Sequence, residues 1–409
     1  MRRRATFLII LPFLFLACSG GGDGGPTYAA RDSAGIRIVE NSSPTWTERE
    51  AWQVDPNPAF DVSGQDDDEL FRVSSPRVLP GGRIVLFNGG NCEVRFYDDT
   101  EESLGSSGRC GNGPGEFGQY AGIWPWRGDS LLIATSPLRV TILDGGGFLG
   151  RTVRLPSSSN MPFPVVRGAL EDGTLVLSGL INPAGRGSPG IETAQYSLGL
   201  IRNLRDTIRL MGIYPGPMFV YTEVQGRLGR GALPFSSATK FTIDDQWIFV
   251  GFPDRFEIQV WASDGTLQRI IRRAFQPVQV TQDDIDRLME RRLAEIEGAE
   301  NQHLVRQAFR DVQHADMMPA FGVPTWIGRA EGGPDMLADA AGNLWVFENY
   351  RPGEYRNHFT VFSPDGVWLG SVAVPEHFTP SQIGTDFLIG TWTDEMGFVH
   401  VRRHRLIRP

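Results

Sequence analysis

Lysine is almost missing from this chain: Lys240 stands alone, and the other 38 of the 39 basic residues are arginine. A Schiff-base or phosphate-gripping lysine therefore has one candidate, and anion binding falls otherwise to arginine. Basic charge is also in deficit, since 39 Lys+Arg against 48 Asp+Glu give a net charge of -9. That balance speaks against general nucleic-acid binding, whose affinity rests on neutralising phosphates. No apolar run reaches the ~20 residues of a membrane span. The longest, Phe7 to Ala17, has 11. No G-x-S-x-G elbow occurs, so nucleophilic serine catalysis has no support. The G-x-G-x-x-G match at Gly113 to Gly118 contains Pro114 and precedes a strand, so it offers a pyrophosphate no helix N-terminus. What is present is ordinary for a globular protein, with 41% apolar and 21% charged residues. The 49 glycines and 28 prolines exceed the usual shares of about 7% and about 5% and predict many tight turns.

Met1-Arg2-Arg3-Arg4 followed by Phe7 to Ala17 reads as an export signal. It ends in Phe15-Leu16-Ala17-Cys18, which resembles the lipobox of bacterial lipoproteins, with Phe15 where that motif prefers Leu and Leu16 where it prefers a smaller residue. The resemblance implies that Cys18 is lipidated and becomes the first mature residue; an ordinary secretory signal with a chance cysteine is the other reading. Residues 1–17 are thus read as signal peptide, 18–31 as a flexible glycine-rich tether, and 32–409 as the folded domain. Loss of three arginines and no acid with the signal moves the charge from -9 to -12. The expected location is the cell envelope, anchored by lipid at the periplasmic face or cell surface. Ser19, where some inner-membrane lipoproteins carry aspartate, points to the outer membrane. Two cysteines remain, Cys92 and Cys110, which in an oxidising compartment most simply form one disulfide; two unrelated buried thiols are the alternative.

A turn followed by a β-branched or aromatic strand recurs six times: before RIVLFN (83–88), SLLIAT (130–135), TLVLSG (174–179), WIFVGF (247–252), LWVFEN (344–349) and FVHVRR (398–403). Downstream runs such as EVRFYDD, RVTILDGG, IQVWASDG and FTVFSPDG end in acidic or Asp-Gly turns and read as hairpins. One unit is four antiparallel strands, the unit of a propeller blade, so the spacing predicts an all-β, six-bladed β-propeller. The last unit has only two clear strands, and GIRIVEN (35–41) and the segment from Trp52 to Val62 are available to complete it. Gly108 to Ile123 (GRCGNGPGEFGQYAGI) is similar to the inter-blade signature of NHL-repeat propellers, and PDMLADAAGNLWVFEN matches the opening strands of such a blade. DSAGIRIVEN and the C-terminal segment resemble a group of exported bacterial propellers. The resemblance implies architecture and is silent on activity.

From Thr281 to about Asp316 apolar residues recur at three- and four-residue steps, predicting two amphipathic helices within an insertion at about 276–334, between blades four and five. Thr281 and Asp284 approximate a capping box. The insertions all fall on one face, which is therefore the candidate functional face. Its ligand-binding candidates are Arg77 on an innermost strand, able to grip a carboxylate bidentately, and Glu348, Asn349, Tyr350 and Arg351 in a loop of the fifth blade. The channel is expected to begin at Ser74 to Arg77, Tyr120, Phe163, Ser236, Asp335 and Asp386. No catalytic residue is assigned, and no cofactor is expected. The alternative is a metal-dependent hydrolase or lyase of lactonase type, holding calcium or zinc with Asp335, Glu348 and Asp386. His400 and His404, four apart on a strand, are too far apart to share a metal. The leading reading is a monomeric binding or scaffold module for an envelope protein, peptide or glycan, attached to the membrane through its N-terminal lipid.

Overall fold

The computed structural model describes residues 27–63, 70–135, 139–181, 190–224, 227–233, 235–236, 238–252, 255–275, 280–295, 303, 335–347 and 357–409. Among these residues the strands form six sheets of four or more strands and one two-stranded bridge. The strands at one edge of the six large sheets are Val73–Val78, Ala121–Trp126, Val165–Ala169, Lys240–Ile243, Met336–Ala338 and Phe378–Ile383. Each touches the corresponding strand of the next sheet, and the last touches the first, so these six inner strands close a ring. This is a β-propeller. A parallel bridge between Asp339 and Ile383 shows neighbouring inner strands running the same way. We call the end where they begin the upper end of the channel.

The core is divided among the sheets rather than gathered at the centre. In the strand Ile84–Asn88 every residue is buried. Successive side chains point to opposite faces, so Val85 and Phe87 pack toward the second sheet while Ile84 and Leu86 pack toward the sixth. The same division repeats around the ring. This is why the recurring turn-and-strand signal is so legible: the second strand of each sheet is apolar on both faces.

The ends of the chain differ from expectation in part. The segment Gln53–Ser63 pairs antiparallel with Val399–Ile407 and completes the sixth sheet, as anticipated. The GIRIVEN strand, Ile36–Asn41, instead forms a hairpin with Tyr28–Ser33 and runs parallel to Leu267–Arg273 at the edge of the fourth sheet. The sixth sheet does not need it, because Phe378–Ile383 and Phe387–Thr393 supply its first two strands. Pro380, accommodated by a bulge between Pro380 and Gln382, hides the inner one from a pattern search. Between the two N-terminal pieces, Thr45 and Trp46 donate backbone hydrogen bonds to Trp368 and Leu369 of the fifth sheet. The N-terminal segment thus straps sheets four, five and six.

His404 on the last strand is buried, donates Nδ1–H to the Asp55 carbonyl at 2.9 Å and meets the ring of Phe378 edge-on. Burial pushes its pKa down, partly opposed by the Asp55 bond. The unfolded chain therefore binds this proton more readily than the folded one, and stability should fall as pH drops below about 6.5. Melting temperature measured from pH 7.5 to 5.5 is expected to fall less steeply in His404→Gln than in wild type; equal slopes would reject the assignment.

The candidate ligand-binding face

The segment Gly108 to Ile123 is a structural clasp. Glu116 accepts hydrogen bonds from Gly113 N at 2.7 Å and from the Arg109 guanidinium. Arg139 donates to the carbonyls of Gly111, Asn112, Gly113 and Glu116. Gly115 adopts a φ of 72°, a left-handed conformation that calls for glycine. Phe117, buried, meets Phe87 edge-on. The Cys92–Cys110 disulfide fastens the same link to the first sheet.

This clasp delivers Tyr120 to the upper rim. Tyr120 is 67% exposed, Phe163 75% and Phe71 52%. All three lie one or two residues before an inner strand, in three consecutive sheets, and so form an aromatic arc around the channel mouth. The Arg72 guanidinium stands 5.1 Å from the Phe71 ring and 5.7 Å from the Tyr120 ring. The sequence marks Tyr120 and Phe163 as channel starts, yet a strand pattern cannot tell that their rings face solvent.

Inside the channel Arg77 is half-buried, and its Nε donates to the Ile123 carbonyl of the second sheet at 2.7 Å. Enclosure pushes its pKa down to about 10, opposed by Asp245. Asp245 belongs to the fourth sheet, opposite the first in the ring, so this attraction crosses the channel near its lower end. Arg77 thus binds sheet to sheet and faces an acid, rather than waiting at the mouth. Ser74, beside it, donates to the Ala121 carbonyl at 2.7 Å.

Higher up, Lys240 Nζ lies 2.8 Å from Asp335 Oδ2. The one lysine thus neutralises an acid at the channel entrance. Asp386 follows the inner strand of the sixth sheet instead of opening it, and lies exposed in the turn to the second strand. Asp335 precedes its inner strand, so these two carboxylates sit at opposite ends of the channel, separated by at least ~13 Å of strand, and do not face one ion. Glu348, Asn349, Tyr350 and Arg351 lie outside the described residues, as does Cys18. No group of three His, Cys, Asp or Glu among the described residues could hold a metal.

A wall rises beside the third and fourth sheets. The strands Gly190–Ile201, Arg209–Val224 and Arg227–Ala232 form a ribbon longer than the other blade strands. The helix Gln282–Glu295 packs Ile285 and Leu288 against Val220, Leu233 and Phe235 of its region. Thr281 and Asp284 close the expected cap, with Thr281 N donating to Asp284 Oδ2 at 2.8 Å. The second predicted helical run lies outside the described residues.

No family model matches the sequence, and no curated protein does. Among solved structures the chain is similar to a Bacteroides fragilis protein named as exported, at 10% identity and a TM-score of 0.47, over 91% of this chain and 99% of that one. It is similar to a gluconolactonase from Xanthomonas campestris, at 13% identity and 0.39, over 81% and 86%. A third is an inactive variant of virginiamycin B lyase from Staphylococcus aureus, at 9% identity and 0.40, over 87% and 100%. Likenesses this remote transfer no activity, ligand or location to this chain.

Proposed function

We propose that this chain is an exported, lipid-anchored, six-bladed β-propeller that acts as a binding or scaffold module at the cell envelope, taking a peptide, glycan or partner protein on its upper face. The observation that carries the reading is the arc of Phe71, Tyr120 and Phe163 with Arg72 over two of its rings. Large aromatic side chains left in water at equivalent positions of three neighbouring sheets form a surface suited to a ligand. The basic and apolar N-terminus and the Cys92–Cys110 disulfide support an oxidising, extracytoplasmic setting. The alternative of a metal-dependent hydrolase would need Asp335, which Lys240 already neutralises, and Asp386, which lies at the far end of the channel.

A photo-crosslinking amino acid placed at Tyr120 in intact cells tests this, with the same probe at Phe148 on the opposite face as comparison. A discrete adduct at Tyr120 and none at Phe148 is expected. Equal labelling at both positions, or none at either, would reject the face.

A further inference from the structure

Burial alternates along the inner strand of the third sheet: Phe163, Val165 and Arg167 are exposed, while Pro164, Val166 and Gly168 are buried. The pairing shifts register at Arg167, yet its guanidinium reaches Ser178, the cross-strand partner of Val165, so Arg167 and Val165 share one side of the strand that descends from the rim aromatic Phe163. Arg167 spends its Nε–H on Ser178 Oγ at 2.7 Å. Among the described residues no carboxylate lies within ion-pairing distance of it, and its other N–H groups meet no protein acceptor.

Three more polar groups share this neighbourhood. Lys240 and Asp335, from the fourth and fifth sheets, form the 2.8 Å pair already described. Tyr196 of the third sheet meets Phe241, the residue after Lys240, edge-on with centroids 5.8 Å apart. Asp335 acts through space on both Arg167 and Tyr196. Desolvation by the surrounding channel wall holds Arg167 below the usual arginine range although part of its side chain reaches solvent, and burial lifts the Tyr196 phenol; the guanidinium stays charged in any case, and the phenol stays a donor.

Among the described residues, two cations against one carboxylate leave one positive charge in excess here, inside a chain whose net charge is -9. The spare hydrogen-bonding capacity of the guanidinium and ammonium is all donor. A neutral ligand would leave the excess charge partly desolvated and uncompensated, whereas a single oxyanion would balance it and match the guanidinium fork.

We infer that Arg167 and Lys240 form a subsite for one carboxylate or sulfate group of the ligand, with Arg167 as the bidentate partner. The inference rests on the reading of the upper face as the binding face. An acidic sugar and a free inorganic anion offer the same chemistry, so calorimetric titration at constant ionic strength should compare glucuronate, glucose and sodium sulfate. Glucuronate is expected to bind at least tenfold more tightly than glucose. Arg167→Gln and Lys240→Gln should each weaken it at least tenfold, and Arg151→Gln, on the outer edge of the second sheet, should not. Equal affinity in wild type and both channel variants would overturn the subsite. Binding of sulfate without glucuronate would overturn the idea that the ligand carries the group. The crosslink at Tyr120 separates this failure from the broader one: an adduct retained while no anion binds rejects the subsite alone, and no adduct in wild type rejects the face beneath it.

Discussion

Replacing Asp339 with alanine is expected to remove about 3–5 kcal/mol of folding stability, the scale for stripping one partner from a buried charged network. The carboxylate is fully buried, with 0% of its side chain exposed, against 23% for its partner Arg408. It accepts from Ala341 N at 2.9 Å, Asn343 N at 2.8 Å, Asn343 Nδ2 at 2.9 Å, Trp345 Nε1 at 3.1 Å and Arg408 at 2.8 Å. Alanine orphans all of these donors. Their loss is not local, because Ala340 N also donates to Ile383 O of the sixth sheet at 3.0 Å, and Arg408 stacks 4.1 Å from the Trp52 ring. Asp339 therefore gathers the fifth sheet, the C-terminal tail and the N-terminal strap at one point. Arg408→Ala should be milder, since it removes one donor of five from a carboxylate that keeps the rest. Equilibrium unfolding in urea would decide, and an Asp339→Ala loss under about 1 kcal/mol would show that the network can be re-satisfied by water.

Opening the Cys92–Cys110 disulfide should remove about 3 kcal/mol, from the closure entropy of its loop, which spans a sequence separation of 18. Cys92 lies in the turn between the second and third strands of the first sheet, and Cys110 begins the link to the second. The bond thus holds the segment that carries Tyr120 to the rim. Guanidinium unfolding of the Cys92→Ser/Cys110→Ser double variant, against wild type without reductant, measures the effect. A midpoint unchanged by the substitutions would mean that the Glu116 and Arg139 hydrogen bonds alone position this link.

Much of the ring is legible in the sequence because the second strand of each sheet is buried on both faces and preceded by a tight turn. Where the inner strand is weak, the reading slips: Pro380 and its bulge conceal a strand, so the turn at Gly397 looks like the first of the last blade when it is the second. The same slip puts Asp386 at the start of an inner strand, whereas it follows Phe378–Ile383. The site is less legible than the fold. Tyr120 and Phe163 mark the rim, yet the exposure of their rings depends on neighbours brought together only by ring closure. Arg167 passes for a surface arginine until its strand, Val165–Ala169, is placed innermost in its sheet and its guanidinium is seen on Ser178. Asp339 sits in a turn that resembles the others, and nothing nearby in sequence announces Arg408, which joins it from 69 residues away.

The strap has a consequence for how the molecule is made. The strand Gln53–Ser63 leaves the ribosome long before its partner Val399–Ile407; Asp61 and His400, which meet across that seam, are 339 residues apart. Contacts of such separation form slowly, because the intervening chain must be brought together first. Until then the strands on both sides of that seam keep an open edge, the kind of edge that recruits foreign strands. The ring thus has its greatest need of protection in the interval between synthesis and closure, and variants that weaken the seam should show themselves first as poor yield.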